Sequence, residues 1–281
     1  MVISDTQIED IILSHGSRGM DRVRHAVSAG YCSRAAQLIL GRKGRVLIGT
    51  GFPVSGSFET DGPIGAIALY RVLERLGHEP IFGCAPPISK VLAGSFRTLE
   101  VPILSWEATV PVVESALADI RPALVVSIER PGVAGDGRYY NMRGKDISDA
   151  LAKFDLFFNR CDCPTIAVGD GGNEIGMGNI LAELARLPIV PSVTCCDELV
   201  IATVSNWGVY GIIAAISRDL RQDLFSTFDP MEIVRYLVER GAVDGKTGSA
   251  ECSEDGFPLT VGLSIIAQLR ASMATPQLNN V

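Results

Sequence analysis

The chain is short of the features that mark several protein classes. It has no apolar run approaching the roughly 20 residues that cross a bilayer. Its first residues, Met1-Val-Ile-Ser-Asp-Thr-Gln7, lack a basic start followed by an apolar stretch. A membrane protein or a secreted precursor is therefore not expected, and a cytoplasmic protein is. No Lys/Arg-rich block occurs and the formal net charge is −7, so a nucleic-acid partner is not expected either. Histidine is scarce, with His15, His25 and His78 alone. The seven cysteines are an odd number scattered through apolar sequence, which argues against a disulfide framework. Cys161-Asp-Cys163 and Cys195-Cys196 lack the two-residue spacing of a zinc knuckle and read as small buried thiols. Internal repeats, low-complexity segments and linkers are also missing.

What is there is core. With 281 residues, 47% of them hydrophobic, the chain can bury one large domain spanning 1–281. From about residue 45, short apolar runs alternate with helical periodicity. Strands are expected at Arg45–Ile48, Pro80–Phe82, Val101–Leu104, Ala123–Ile128, Thr165–Val168 and Glu198–Val204. Between them lie helical patterns, such as Gly65, Leu69, Val72, Leu73 and Leu76. This alternation predicts an α/β fold: a mostly parallel, Rossmann-like sheet with helices on both faces. The ends, about 1–42 and 229–281, read as helical, the latter opening at Asp229-Pro-Met-Glu232. Those terminal helices could close the core or form a subunit interface, which leaves the oligomeric state open.

The unusual residues follow the strands. Residues 169–179 read Gly-Asp-Gly-Gly-Asn-Glu-Ile-Gly-Met-Gly-Asn, a strand–loop–helix connection with Asp170, Asn173, Glu174 and Asn179 set among five glycines. The strand near 48 runs into Gly49–Pro63, which carries Thr50, Glu59 and Asp61. The strand near 126 runs into Glu129-Arg-Pro-Gly, then a loop with Arg138, Tyr139, Tyr140, Asn141 and Arg143. The strand near 203 runs into Ser205-Asn-Trp-Gly208. In a parallel sheet these four polar loops converge on one edge, where open α/β sheets hold their ligands. Connections elsewhere, such as Gly77-His-Glu-Pro80, are chemically plain. Gly49-Thr-Gly-Phe-Pro-Val54 lacks the third glycine of a dinucleotide fingerprint, and Met177-Gly178 stand where a phosphate loop needs Lys-Ser/Thr. Asp61 can cap the helix opened by Gly62-Pro63. Glu129-Arg130 reads either as a buried ion pair or as a base beside a carboxylate clamp. Asn206 can cap a helix or face the site.

Several segments match a known family: Thr50-Gly-Phe-Pro53, Glu59-Thr-Asp-Gly-Pro-Ile-Gly-Ala66, Ile128-Glu-Arg-Pro-Gly132, Asp136-Gly-Arg-Tyr-Tyr-Asn-Met-Arg-Gly144, Gly169–Asn179 and Ser205-Asn-Trp-Gly208. From about residue 15 to 270 the chain resembles the D-glutamate cyclase family, the bacterial relatives of the carboxy-terminal domain of the mammalian mitochondrial enzyme. The resemblance implies conversion of D-glutamate to 5-oxo-D-proline and water, a lyase reaction. The chemistry would need the α-amine folded onto the γ-carboxyl carbon and a carboxylate base, for which Glu174, Asp170 and Glu129 are the candidates. Oxyanion donors could be the backbone amides of Gly171 and Gly172. Substrate contacts are expected from Arg130, Arg138, Tyr140, Asn141, Arg143, Asn173, Asn206, Thr50, Glu59 and Asp61. The expected partner is a small carboxylate. No cofactor is expected; if a divalent ion such as Mg²⁺ takes part, Asp170 and Glu174 would hold it, with Glu59 and Asp61 nearby. Two alternatives are a metal-dependent enzyme on a related hydroxy- or amino-acid, and a non-catalytic sensor of small carboxylates.

Overall fold

The computed structural model describes residues 3–16 and 18–273. Six parallel strands form one sheet: β1 (Arg45–Thr50), β2 (Glu79–Cys84), β3 (Thr98–Glu100), β4 (Leu124–Ile128), β5 (Thr165–Gly169) and β6 (Glu198–Ile201). Their spatial order is β3-β2-β1-β4-β5-β6. This is the doubly wound, Rossmann-like order, and its direction reverses between β1 and β4. There Thr50 pairs with Ile128, so the chain leaves both strands side by side at the carboxyl edge.

Seven helices of eight residues or more are found among the described residues: α1 (Asp5–Ile12), α2 (Tyr31–Leu40), α3 (Pro63–Arg75), α4 (Trp106–Ile120), α5 (Ser205–Leu220), α6 (Pro230–Val238) and α7 (Leu259–Met273). Helix α5 is the centre of one layer. Residues Ser205 to Ser217 are all buried, and α1, α2, α3 and α7 pack on it. A helix apolar on every side needs such a jacket. No helix among the described residues is long and apolar enough to cross a membrane.

Four elements differ from the sequence reading. The third strand is Thr98–Glu100, and 101–104 carries no regular structure. The last strand stops at Ile201, three residues before the expected end. The glycine-rich run 169–179 opens onto a single tight turn, Met177–Ile180, and a four-residue helix, Leu181–Leu184, rather than a long helix. The carboxy-terminal segment is not helical throughout, because a small hairpin, Ser253–Glu254 with Phe257–Pro258, interrupts it. Residues 274–281 of that segment lie outside the described residues. The cysteines also depart from the buried reading: Cys32 and Cys84 are buried, whereas Cys195 and Cys252 are exposed and the other three half-buried.

Under the carboxyl edge, Gly49 and Gly83 pair across β1 and β2. A Cβ on Gly49 would stand 2.4 Å from the Phe154 ring, and one on Gly83 2.9 Å from it. The two glycines thus make room for Phe154, on whose ring the Arg130 guanidinium rests at 5.1 Å.

Candidate functional site

The carboxyl edge gathers six buried carboxylates, Glu59, Asp61, Glu129, Asp170, Glu174 and Asp255. Three of them meet at the first turn of α5. The Ser205 amide donates to Asp61 Oδ2 at 3.1 Å and to Asp170 Oδ2 at 3.2 Å, and the Ser205 hydroxyl donates to Glu129 Oε2 at 2.6 Å. Helix α5 thereby directs its unpaired N–H groups and the positive end of its dipole at the cluster. Arg18 supplies the other positive charge, bonding Asp170 through one guanidinium nitrogen and Asp255 through another. Burial alone would lower the Arg18 pKa, but Asp170, Glu129, Glu59 and Glu174 outweigh it and keep the group charged.

One guanidinium and one helix end do not balance six carboxylates. Desolvation, reinforced by the neighbouring carboxylates, pushes Glu129 and Asp61 well above the ordinary carboxyl range. Glu59 rises for the same first reason, although Arg18 opposes it. Burial and Asp170 raise Glu174 to about 7. Protons are therefore stored here near neutral pH, which is what acid–base chemistry needs. Glu129 also has φ of 43°, a left-handed backbone that a non-glycine residue adopts only when its surroundings enforce it.

Asp61 and Asn206 exchange caps between two helices. Asp61 precedes α3 yet accepts from the Ser205 and Asn206 amides of α5, the latter at 2.9 Å. Asn206 belongs to α5 yet its Oδ1 accepts from Gly62 and Gly65 at the start of α3, at 2.9 and 2.7 Å. Asp61 also accepts from the Gly62 amide at 2.8 Å. The expectation that each would either cap its own helix or face a substrate is thus corrected. Each caps the other's helix, and Asn206 Nδ2 is committed to Glu254 at 2.9 Å.

Several further expectations are corrected by the same bookkeeping of donors. The Gly171 and Gly172 amides do not form an oxyanion hole, because they donate to the two oxygens of Glu174, each at 2.7 Å. Both Glu174 oxygens are accordingly held in a backbone nest. Arg130 makes no ion pair with Glu129. Its guanidinium donates to the Thr50 and Ala152 carbonyls, both at 3.0 Å, and braces the strand ends from beneath. Arg138 is exposed, 3.6 Å from Asp146, and Tyr140 turns outward to Asp136 at 2.6 Å. Asn173 donates to the Tyr140 carbonyl at 2.9 Å, tying two loops together, and its Oδ1 is buried without a partner. The Thr50 hydroxyl is likewise buried and unpartnered.

The open space beside the cluster is a cleft of about 410 Å³. Glu59 and Glu129 present carboxyl groups to it, and Arg18, Arg143, Lys145 and Lys246 line it with positive charge. Asn141 shapes its rim, accepting from the Arg143 and Lys145 amides at 2.9 and 3.0 Å. The opposite rim is the turn after Asp244, whose carboxylate accepts from the amides of Lys246, Thr247 and Gly256 and from the Ser253 hydroxyl at 2.7–2.9 Å. Burial pushes Asp244 up, but those hydrogen bonds prevail and hold it below the ordinary range. Sequence reasoning missed Arg18, Lys246 and Asp255. The available signals were Gly16 and Gly19 around Arg18, in a stretch without helical spacing, and the turn pattern Asp244-Gly-Lys-Thr-Gly248.

For a metal ion, the donors that converge are Asp61, Glu129 and Asp170, with ligand oxygens within 4.8 Å of one another. Asp170 is common to this set and to the expected pair Asp170 and Glu174, and Glu174 lies outside the set.

Over 216 residues the chain is 36% identical to a human protein named D-glutamate cyclase, mitochondrial, an alignment covering 64% of this chain. The aligned stretch spans about a third of that relative, 34% of its length. The family model described as "D-glutamate cyclase-like, C-terminal" matches residues 8–270, nearly the whole chain and all six strands, and the protein belongs to that family.

Proposed function

We propose that the protein is a D-glutamate cyclase-like lyase, converting D-glutamate to 5-oxo-D-proline and water, with Glu129 as the proton-transfer residue. The observation that carries this is the placement of Glu129. It lines the cleft, one oxygen is fixed by Ser205 at 2.6 Å, and burial among acids holds its pKa well above the ordinary range. Among the described residues its other oxygen has no hydrogen-bond partner. The two alternative bases are committed elsewhere, Asp170 to Arg18 and Ser205, and Glu174 to its nest.

The cleft suits an amino-dicarboxylic acid. The cations Arg18, Arg143, Lys145 and Lys246 would hold carboxylates, and Glu59 would face the ammonium group. Clamping both ends folds the substrate so that the amine meets the distal carboxyl carbon, a contribution of position and entropy. Ionised Glu129 takes a proton from the ammonium group, and the nitrogen attacks. Glu129 then returns that proton to the departing oxygen. The nitrogen loses two protons in all, and they leave with one carboxyl oxygen as water. Seven free thiols suit a reducing compartment, the cytoplasm.

The test is chromatography of products from D- and L-glutamate. Formation of 5-oxoproline from the D isomer is the expected result, and Glu129→Gln should lower kcat by about 10²–10⁴-fold with the melting temperature unchanged or raised. No turnover with or without divalent ions would overturn the reading. A thermal shift by D-glutamate without product would instead favour a sensor. The convergence of Asp61, Glu129 and Asp170 supports a second reading, in which those three residues would hold Mg²⁺ and the ion would supply Lewis-acid chemistry to a carboxyl group. Activity abolished by a chelator and restored by Mg²⁺ distinguishes it.

A further inference from the structure

The small hairpin in the carboxy-terminal segment carries two adjacent buried acids, Glu254 and Asp255. Asp255 bonds Arg18 at the carboxylate cluster. Glu254 turns instead to the first turn of α5, where its Oε2 accepts from Asn206 Nδ2 at 2.9 Å and its Oε1 from Trp207 Nε1 at 2.8 Å. The place it occupies is closely fitted. The Thr60 hydroxyl donates to the Ser253 carbonyl and the Ser253 hydroxyl to Asp244, both at 2.7 Å, which fixes the hairpin backbone. On α7, a Cβ on Gly262 would stand 1.9 Å from Glu254 Oε1, so that glycine leaves the carboxyl group its room.

Both nitrogens that meet Glu254 are donors. An indole N–H cannot accept, and the Asn206 amide has a donor end and an acceptor end of nearly equal shape, so its partners decide which way it faces. A carboxylate accepts at both oxygens and therefore holds Asn206 with Nδ2 toward the hairpin. Oδ1 is left facing α3, where it accepts from the Gly62 and Gly65 amides. That setting bears on Glu129 from two sides. A Cβ on Gly62 would stand 2.7 Å from Glu129 Cβ, so the Gly62 turn lies directly against it. From α5, the Asn206 amide holds Asp61 at 2.9 Å and the Ser205 hydroxyl holds Glu129 at 2.6 Å.

We infer that Glu254 is a positioning residue for Glu129: by fixing which way the Asn206 amide faces, it sets the Asp61-Gly62 turn of α3 against the first turn of α5, and Glu129 is seated between them. Glu254 itself does not line the cleft. The inference rests on the proposed function for its effect on turnover, but not for the arrangement of hydrogen bonds it requires. Glu254→Gln sets an N–H₂ group against the donor of Asn206 or of Trp207. Asn206→Asp sets two carboxyl groups face to face. The double variant Asn206→Asp/Glu254→Gln removes both conflicts. The carboxylate at position 206 then accepts from Gly62, Gly65 and the amide at position 254, which still accepts from Trp207.

The full chain and its variants are compared at pH 8, above the value of about 7 to which burial raises Glu254. Each single substitution should lower kcat for D-glutamate by about 10–10²-fold with KM changed by no more than about twofold, because the cations of the cleft stay in place. The double variant should return to within about threefold of the wild type. Exchange of the Gly62 and Gly65 amide protons, followed by NMR, should quicken in Glu254→Gln and slow again in the double variant. An unchanged kcat in Glu254→Gln overturns the inference, whatever happens to its melting temperature. So does a double variant no better than the worse single one, or unaltered exchange at Gly62 and Gly65. Where a single variant does not fold, the double variant decides: a folded, active chain supports the relay, and an unfolded or inactive one overturns it. A wild type that turns over no D-glutamate overturns the proposed function instead, and the amide exchange still decides whether Glu254 orients Asn206.

Discussion

The two edges of the sheet treat polar groups in opposite ways. At the amino edge, Asp197 and Thr165 satisfy each other, and what remains is thiols that cost little to leave half-buried. At the carboxyl edge, six carboxylates are buried against Arg18 and the first turn of α5. Charge withdrawn from water without full compensation is destabilising. One edge is therefore electrostatically relaxed, and the other holds a surplus of negative charge that protons relieve. The surplus lies where β1 and β4 diverge, the place where a doubly wound sheet opens a crevice. Backbone strain is found there as well, in the left-handed Glu129.

The sharpest way to break this contrast is to remove the compensation. Arg18→Met leaves Asp170 and Asp255 without their shared cation, and should cost about 3–5 kcal/mol of unfolding free energy at pH 7.5 by urea titration. The loss should shrink at pH 5.5, where the neighbouring raised carboxyls of Glu59, Asp61 and Glu129 hold their protons and leave less negative charge to balance. A loss that does not vary with pH would mean that Arg18 acts by packing alone.

Gly62→Ala probes the backbone beneath the same cluster. Gly62 has φ of 86°, and an added Cβ would stand 2.7 Å from Glu129 Cβ and 3.1 Å from the Ile128 carbonyl oxygen. Left-handed strain of about 1–3 kcal/mol is expected, together with displacement of Glu129 and a lower kcat. A fully active, fully stable Ala variant would show that the turn does not position Glu129.

Much of this edge is legible in the amino-acid sequence, and the reason is periodicity. Buried strands such as Leu124–Ile128 are apolar throughout, and the polar residues that follow them fall on one edge by topology. Periodicity places residues at an edge but does not say which way their side chains turn. Glu129 and Arg130 are adjacent in sequence, yet one enters the cleft and the other the core, because Gly49 and Gly83 open a place for Phe154 and the guanidinium above it. Asp61 and Asn206 carry cap signals, but the helices they cap are set by tertiary packing. Arg18 reaches Asp170 across 152 positions of chain, a contact that no local pattern encodes. For the same reason, Glu174→Gln is a poor test of a catalytic base. An amide would set its own N–H groups against those of Gly171 or Gly172 and disturb the loop.

A smaller effect is expected from pH alone. Glu174 is raised to about 7, and so is Glu254, both chiefly by burial. A raised carboxyl holds its proton more tightly folded than unfolded, so its stabilising contribution is complete below the unfolded value near 4.5 and is lost as pH rises through 7. Asp5 and Asp244 are lowered and act in the opposite sense, but only near and below 3.8, outside this window. The melting temperature should therefore rise by about 2–6 °C between pH 8 and pH 5.5. A flat profile would mean that the cluster titrates as an ordinary surface does.

The two arginines of the 136–146 loop give the finest test, because they share a loop but not an environment. Arg143 lines the cleft, on a turn fixed by Asn141, whereas Arg138 points to solvent at 3.6 Å from Asp146. An exposed pair at that distance contributes about 0–1 kcal/mol, so Arg138→Ala should change neither stability nor KM by more than about twofold. Arg143→Ala removes a charged hydrogen-bond donor from the cleft lining, an expected loss of about 1.5–3 kcal/mol in binding under the proposed function, and should raise KM by about tenfold or more with kcat less affected. Equal effects of the two substitutions would mean that the loop closes over substrate and brings Arg138 inward. No effect of either would place carboxylate recognition on Arg18 and Lys246, across the cleft.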